Sequence, residues 1–239
     1  KIVRSSIFWG LNEMTATNYL RRRNEIEEYF DRTASDAWAR LTSDEPLTGV
    51  RATVRAGRDE MRAALLSWLP EDLSGVRILD AGCGAGQLAI EAAARGADVV
   101  AIDLSKSLVD LAAERSALLP LKGQVAFHVG DMLKPPGGPF DFVVCMDSVI
   151  HYDLPDFQST LYQLIALSRH ACMFTFAPST PLLSFMHTVG KLFPRGDRSP
   201  AIKPHSEASV RDALSGYHIA RSHRGKSGFY ISHAMRVSG

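Results

Sequence analysis

At 239 residues, 46% of them hydrophobic and 22% charged, the chain carries enough apolar material for one α/β domain with a modest extension. Its formal net charge of +1 excludes the basic footprint of a nucleic-acid binder. No uninterrupted apolar run reaches the roughly 20 residues that span a bilayer, so any membrane contact is peripheral. The three cysteines, Cys83, Cys145 and Cys172, form no C-x-x-C pair, which points to a reducing, cytoplasmic compartment and to no zinc site. All three lie in or beside strand-like runs and read as buried thiols.

In chain order, residues 1–13 mix Ile, Phe and Trp without a clean period, and Met14-Thr15-Ala16-Thr17 looks like a natural start. The expectation is a vector-derived leader over 1–13. Residues 14–70 form an N-terminal helical lid. Its first helix runs from Asn18 to Asp31, with Tyr19, Leu20, Ile26, Tyr29 and Phe30 on one stripe. A short piece with Trp38 and Leu41 follows, then a break at Pro46 and Gly49. The second helix, Val50 to Leu69, carries Arg51, Arg55, Arg58 and Arg62 and stops before Pro70. That arginine row reads either as a solvated face or as a substrate contact.

Residues 71–239 form the core. Strands at 76–80, 98–102, 124–129, 140–146 and 170–176 alternate with helices at 85–95, 106–117 and 156–168, and Pro135 to Pro139 make a turn. Strand-helix alternation predicts a parallel sheet covered on both faces, with ligands at the C-terminal strand ends. Residues 178–205, punctuated by five prolines, are too long for an idle loop and read as a substrate-side insert. Ser206-Glu207-Ala208-Ser209 starts a helix, and Tyr217 to Arg224 and Phe229 to Val237 form an antiparallel pair around Gly225-Lys226-Ser227-Gly228.

The chemistry is concentrated after the first strand, in Asp80-Ala81-Gly82-Cys83-Gly84-Ala85-Gly86. Strand, glycine turn and helix let a backbone approach a nucleotide closely. The spacing is D-x-G-x-G-x-G, not the G-x-G-x-x-G of a dinucleotide site, which disfavours a nicotinamide dehydrogenase. Asp103 ends the next strand about 20 residues on, where a ribose diol is held. Asp131 ends the third. One acid at a strand end could be a helix cap, but three in order are hard to obtain by chance.

The glycine motif resembles that of the class I S-adenosylmethionine-dependent methyltransferases. The resemblance implies a Rossmann-like, mostly parallel seven-stranded sheet flanked by helices, with S-adenosylmethionine as cofactor and S-adenosylhomocysteine as product. It assigns Asp80, Gly82, Gly84, Gly86, Asp103, Leu104, Asp131, Met132 and Asp147 to the cofactor. The glycines would make room for its methionine part, Asp131 would meet the adenine amino group, and Met132 would pack on the ring.

Three further segments narrow the family: Glu28-Tyr29-Phe30-Asp31 with Trp38, then Asp147-Ser148-Val149-Ile150-His151-Tyr152, then Thr180-Pro181-Leu182-Leu183 running through Gly190-Lys191-Leu192-Phe193-Pro194-Arg195 to Asp197-Arg198-Ser199-Pro200. Together they resemble the magnesium-protoporphyrin O-methyltransferases of (bacterio)chlorophyll biosynthesis. The implied reaction methylates one propionate of magnesium protoporphyrin IX, with magnesium only as part of the substrate. His151 is then expected to orient the propionate, an axial bond to magnesium being the lesser alternative and a helix cap the bland one. Tyr29 is expected near the methionine or acceptor carboxylate, or else as a core aromatic. Leu183, Met186 and Phe193 would supply an apolar slot, and Lys191, Arg195 and Arg198 cations for the second propionate. The large subunit of magnesium chelatase is an expected partner. Competing readings are a methyltransferase for a quinone precursor and a porphyrin carrier.

Overall fold

The computed structural model describes residues 19–33, 40–43, 46–179 and 201–239. The expected leader at 1–13, Trp38, and the six expected substrate contacts Leu183, Met186, Lys191, Phe193, Arg195 and Arg198 lie outside the described residues. Helix α1 covers 19–28 and runs into a π-helical turn, Tyr29–Thr33. Then come α2 (Gly49–Ser67), β1 (Arg77–Ala81), α3 (Gln87–Ala94), β2 (Asp98–Asp103), α4 (Lys106–Ala117), β3 (Gln124–Val129) and β4 (Phe140–Cys145). A 3-10 turn, Val149–His151, leads to α5 (Leu154–Ala166), β5 (Ser168–Phe176), α6 (Glu207–Ala213), β6 (His218–Ser227) and β7 (Tyr230–Ser238).

The seven strands form one sheet in the order β3-β2-β1-β4-β5-β7-β6. β1 to β5 pair in parallel, and β7 runs antiparallel to both β5 and β6. This is the class I methyltransferase architecture that the alternating pattern and the glycine motif imply. The central strands are mostly apolar because both faces are covered. Period-2 alternation sends Leu79, Val100, Ile102, Val143 and Phe174 to a core shared with Phe157, Leu161 and Leu164 of α5 and Val210 of α6. Ile78, Val99, Phe142, Val144 and Met173 pack on the other face against Met61 and Leu65 of α2 and the alanines of α3.

Several boundaries differ from the sequence reading, each for a local reason. α5 begins at Leu154 rather than Asp156, because Pro155 sits in the first turn, where its missing N–H is not needed. The β6–β7 loop is shorter than expected. Gly225 to Ser227 pair within the ladder, and only Gly228 and Phe229 turn the chain. Gly228 takes the positive φ of 55° that a tight hairpin of this hand requires. Cys145 and Cys172 are buried, while Cys83 is only half-buried because it belongs to the glycine turn. The 14–70 stretch divides in two. α2 is built into the core, with Met61 and Leu65 fully buried, and α1 lies over the C-terminal strand ends.

Candidate active site

The C-terminal ends of β1 to β5 and the β6–β7 turn surround a cavity of about 370 Å³. The three glycines of the turn after β1 all have left-handed φ, at 78°, 51° and 76°, yet each answers a different neighbour. A Cβ on Gly82 would stand 1.9 Å from the Ser148 hydroxyl, which donates to the Gly82 carbonyl. A Cβ on Gly86 would stand 2.7 Å from Ala112 of α4, so this glycine serves packing and does not line the cavity. A Cβ on Gly84 would meet nothing within 4 Å, and Gly84 lines the cavity. Gly84 is where a ligand can come closest to the backbone.

Asp80 ends β1 at 2% exposure, and its Oδ2 has no hydrogen-bond partner. Burial, reinforced by Asp103, pushes its carboxyl up to about 7. Asp80 faces a smaller recess beside Gly82, Gly84 and Arg58 rather than the main cavity. Asp103 accepts N–H bonds from Gly84 at 2.8 Å and Ser105 at 2.9 Å. Burial raises its pKa against the pull of those donors. Leu104, Asp131, Met132 and Asp147 all line the main cavity, as do Tyr29 and His151.

Asp131 is held from two sides. Its Oδ1 accepts from the Leu133 N–H at 3.0 Å and from the Tyr19 hydroxyl of α1 at 2.7 Å, while Arg23 approaches Oδ2 at 3.5 Å. Burial drives the Tyr19 hydroxyl far above the usual phenol range, so it stays a donor. Tyr19 also stacks on Tyr152 at 5.3 Å, and Tyr152, 2% exposed, is a packing residue. In the π-helical turn after α1, Asp31 Oδ1 accepts from the Ser107 N–H at 3.0 Å and the Ser105 hydroxyl at 3.1 Å, at the start of α4. These bonds hold α1 over the acids that end β2 and β3.

His151 occupies the 3-10 turn after β4 at 6% exposure, with the edge of its ring against Phe30 at 6.3 Å. Phe30 in turn meets Tyr29 edge-on at 5.2 Å. Asp147 has a φ of 55°, the one left-handed non-glycine among the described residues. Its carboxylate accepts from Arg58 of α2, from Tyr230 at 3.1 Å and from the Thr175 hydroxyl at 3.0 Å. The arginine row therefore splits. Arg58 reaches the cavity, Arg55 binds the backbone carbonyl of Leu41, and Arg62 pairs with Asp59 and Glu91.

Sequence reasoning missed Tyr19, Arg23 and Asp31 as clasps on the site, and Arg58, Thr175 and Tyr230 around Asp147. The arginine spacing was a signal for Arg58. Tyr230 had none, because its partner is 83 residues away in sequence. The ends of the 178–205 stretch meet at the cavity. Pro178 bridges His205, the Lys203 N–H donates to the Ile150 carbonyl, and Ala177 and Ile202 line the wall.

Residues 78–170 match a general methyltransferase domain, and residues 145–238 match the family described as Magnesium-protoporphyrin IX methyltransferase C-terminus. The chain is 49% identical over 222 residues to the magnesium-protoporphyrin O-methyltransferase of Rhodobacter capsulatus, covering 92% of this chain and 97% of that one. This chain belongs to the magnesium-protoporphyrin O-methyltransferase family. Two crystal structures of the magnesium protoporphyrin IX methyltransferase from Synechocystis PCC 6803 show the same fold. The form with bound SAH has a TM-score of 0.79 at 30% identity over 89% of this chain and 97% of that one. The form with bound SAM has a TM-score of 0.77 at 27% identity over 90% and 96%. The general methyltransferase match spans the glycine turn and the acids that end β2 and β3, while the family-specific match spans His151, the insert and the β6–β7 hairpin.

Proposed function

We propose that this enzyme transfers the methyl group of S-adenosylmethionine to one propionate carboxylate of magnesium protoporphyrin IX, giving the monomethyl ester and S-adenosylhomocysteine in (bacterio)chlorophyll biosynthesis. The observation that carries the reading is that one cavity is lined both by Gly84, Asp103 and Asp131 and by Tyr29 and His151. Groups suited to a nucleoside and groups suited to an acceptor share one space, as a direct transfer requires.

The residues present fit the cofactor. Gly84 leaves open space where any other residue would place a side chain. Asp103 retains lone pairs for a ribose diol beyond its two backbone bonds, and Asp131 offers a carboxylate to an adenine amino group. Asp80 keeps one buried oxygen without a partner, suited to the ammonium of an amino acid. When bound, the cofactor supplies an already activated methyl group. The rest of the work falls to the chain. A propionic acid has a solution pKa of about 4.3, like a Glu side chain, so the acceptor is ionised at neutral pH and needs no strong base. The site must place that carboxylate and strip its water. His151 is the group we assign to orienting it, and Tyr29 lines the same cavity from the π-helical turn after α1. The insert, whose ends meet at the cavity, is assigned the macrocycle through Leu183, Met186 and Phe193 and the second propionate through Lys191, Arg195 and Arg198. Receipt of the pigment from the magnesium chelatase large subunit at a membrane surface completes the proposal. Among the described residues no helix is long and apolar enough to cross a membrane.

The test is to mix the protein with methyl-labelled S-adenosylmethionine and magnesium protoporphyrin IX and look for a labelled pigment ester by mass. The ester should appear, and His151→Ala should lower kcat with little change in cofactor affinity. Cofactor binding without any ester would overturn the acceptor and leave a quinone-type acceptor in front.

A further inference from the structure

The β6–β7 hairpin closes the sheet, but its turn does more than return the chain. Because β7 is antiparallel to the other strands, the turn lies at the same edge of the sheet as the C-terminal ends of β1 to β5. Phe229, Tyr230, Ile231 and Ser232 all line the cavity. They stand on the β5 side of Asp147, away from the nucleoside-side acids that end β2 and β3. They also fall inside the residues that match the magnesium-protoporphyrin family and outside those that match a general methyltransferase domain.

Phe229 is the unusual member. A two-residue hairpin turn ordinarily carries small or polar residues. Here the second turn position holds a phenylalanine that lines the cavity while remaining 52% exposed, so it stands at the mouth. Its backbone is fixed rather than loose. Gly228, just before it, lies so close to Thr53 of α2 that a Cβ there would come within 2.6 Å. Tyr230, just after it, is anchored to Asp147. Val54, next to Thr53, lines the same cavity, and Val50, one turn earlier on α2, is 51% exposed. An apolar lip on a rigid support is what a flat, largely apolar acceptor needs, since aromatic rings bind such faces by stacking.

We propose that the β6–β7 turn is a docking wall for the acceptor, and that Phe229 is a positioning residue lying against one face of the macrocycle with Val54 beside it. The inference rests on the proposed acceptor. It adds a specificity element on a part of the chain remote from the glycine turn, and it makes the hairpin and α2 one unit of substrate recognition.

The experiment compares wild type, Phe229→Ala and Phe229→Trp as intact chains. Binding of magnesium protoporphyrin IX in the presence of S-adenosylhomocysteine is followed by porphyrin fluorescence, binding of S-adenosylhomocysteine alone by calorimetry, and KM and kcat by ester formation. Phe229→Ala should weaken porphyrin binding and raise its KM about tenfold, the scale of one lost aromatic contact, with S-adenosylhomocysteine affinity unchanged and Phe229→Trp close to wild type. Unchanged porphyrin affinity in Phe229→Ala would overturn the inference while the wild-type ester upholds the function. Equal loss of affinity for both ligands would also overturn it, by making Phe229 a structural residue. A wild type that makes no ester would instead strike the proposed acceptor itself.

Discussion

Asp80 shows how a site residue can be costly to the fold. Its carboxyl is 2% exposed, has one oxygen without a partner, and is pushed up to about 7 by burial and by Asp103. In the unfolded chain it titrates at its ordinary value of 3.8. Between those values the folded chain binds more protons, so this group's contribution to stability is fully present below the unfolded value and falls as pH rises towards 7. Asp80→Asn removes that slope. Wild type should therefore lose stability relative to Asp80→Asn between pH 5 and pH 8, by a few kcal/mol at most, in chemical unfolding of both proteins at both pH values. A constant gap between the two would show that Asp80 is ionised throughout. His205 and His233 are buried with pKa values held low by desolvation, and their slopes run the other way. They are common to both proteins and cancel in the comparison. The motif around Asp80 was legible as local spacing, whereas its protonation state depends on burial in the assembled sheet and on Asp103 of β2.

At the scale of elements, the seating of α2 on the β6–β7 hairpin decides the shape of the acceptor side. The contact is made by glycines on both partners. A Cβ on Gly57 of α2 would stand 2.5 Å from the Tyr230 ring, one on Gly228 would meet Thr53, and one on Gly225 would reach Met61 at 3.0 Å. This close approach brings Arg58 and Tyr230 together on the Asp147 carboxylate. Gly57→Ala tests it, because two effects oppose. Alanine favours an isolated helix by about 1 kcal/mol, but overpacking a buried contact costs about 1–3 kcal/mol. At 2.5 Å from a ring held by its own hydrogen bond, the clash should win, for a net loss of about 1–2 kcal/mol in urea denaturation. A stabilised Gly57→Ala would mean that the hairpin moves aside freely. α2 itself was readable from its period, but the surface it covers was not, since Gly57 carries no hydrophobic signal.

Across the whole molecule, the two family matches divide the labour. The first part brings the glycine turn and the acids of β2 and β3; the insert and the hairpin fall in the second alone, and His151 lies where the two overlap. The insert leaves the sheet at Ala177 and returns at Ile202, both on the cavity wall. Deleting 180–198 should therefore abolish ester formation while leaving S-adenosylhomocysteine affinity by calorimetry nearly unchanged. Loss of cofactor affinity in that variant would make the insert a support for the nucleoside end instead.

The strand-helix alternation, the glycine turn and the acids at the strand ends followed from the sequence alone, because hydrophobic period and turn chemistry act over a few residues. The resemblance carried by the segments around Tyr29, His151 and Lys191 named the family on the same local footing. Tertiary structure alone decided which of four arginines enters the cavity, that Tyr19 and Asp31 clasp α1 over Asp131 and α4, and that a hairpin turn stands at the mouth of the site. These contacts join residues 74 to 112 positions apart in sequence, and their energies depend on packing that exists only once the sheet has assembled.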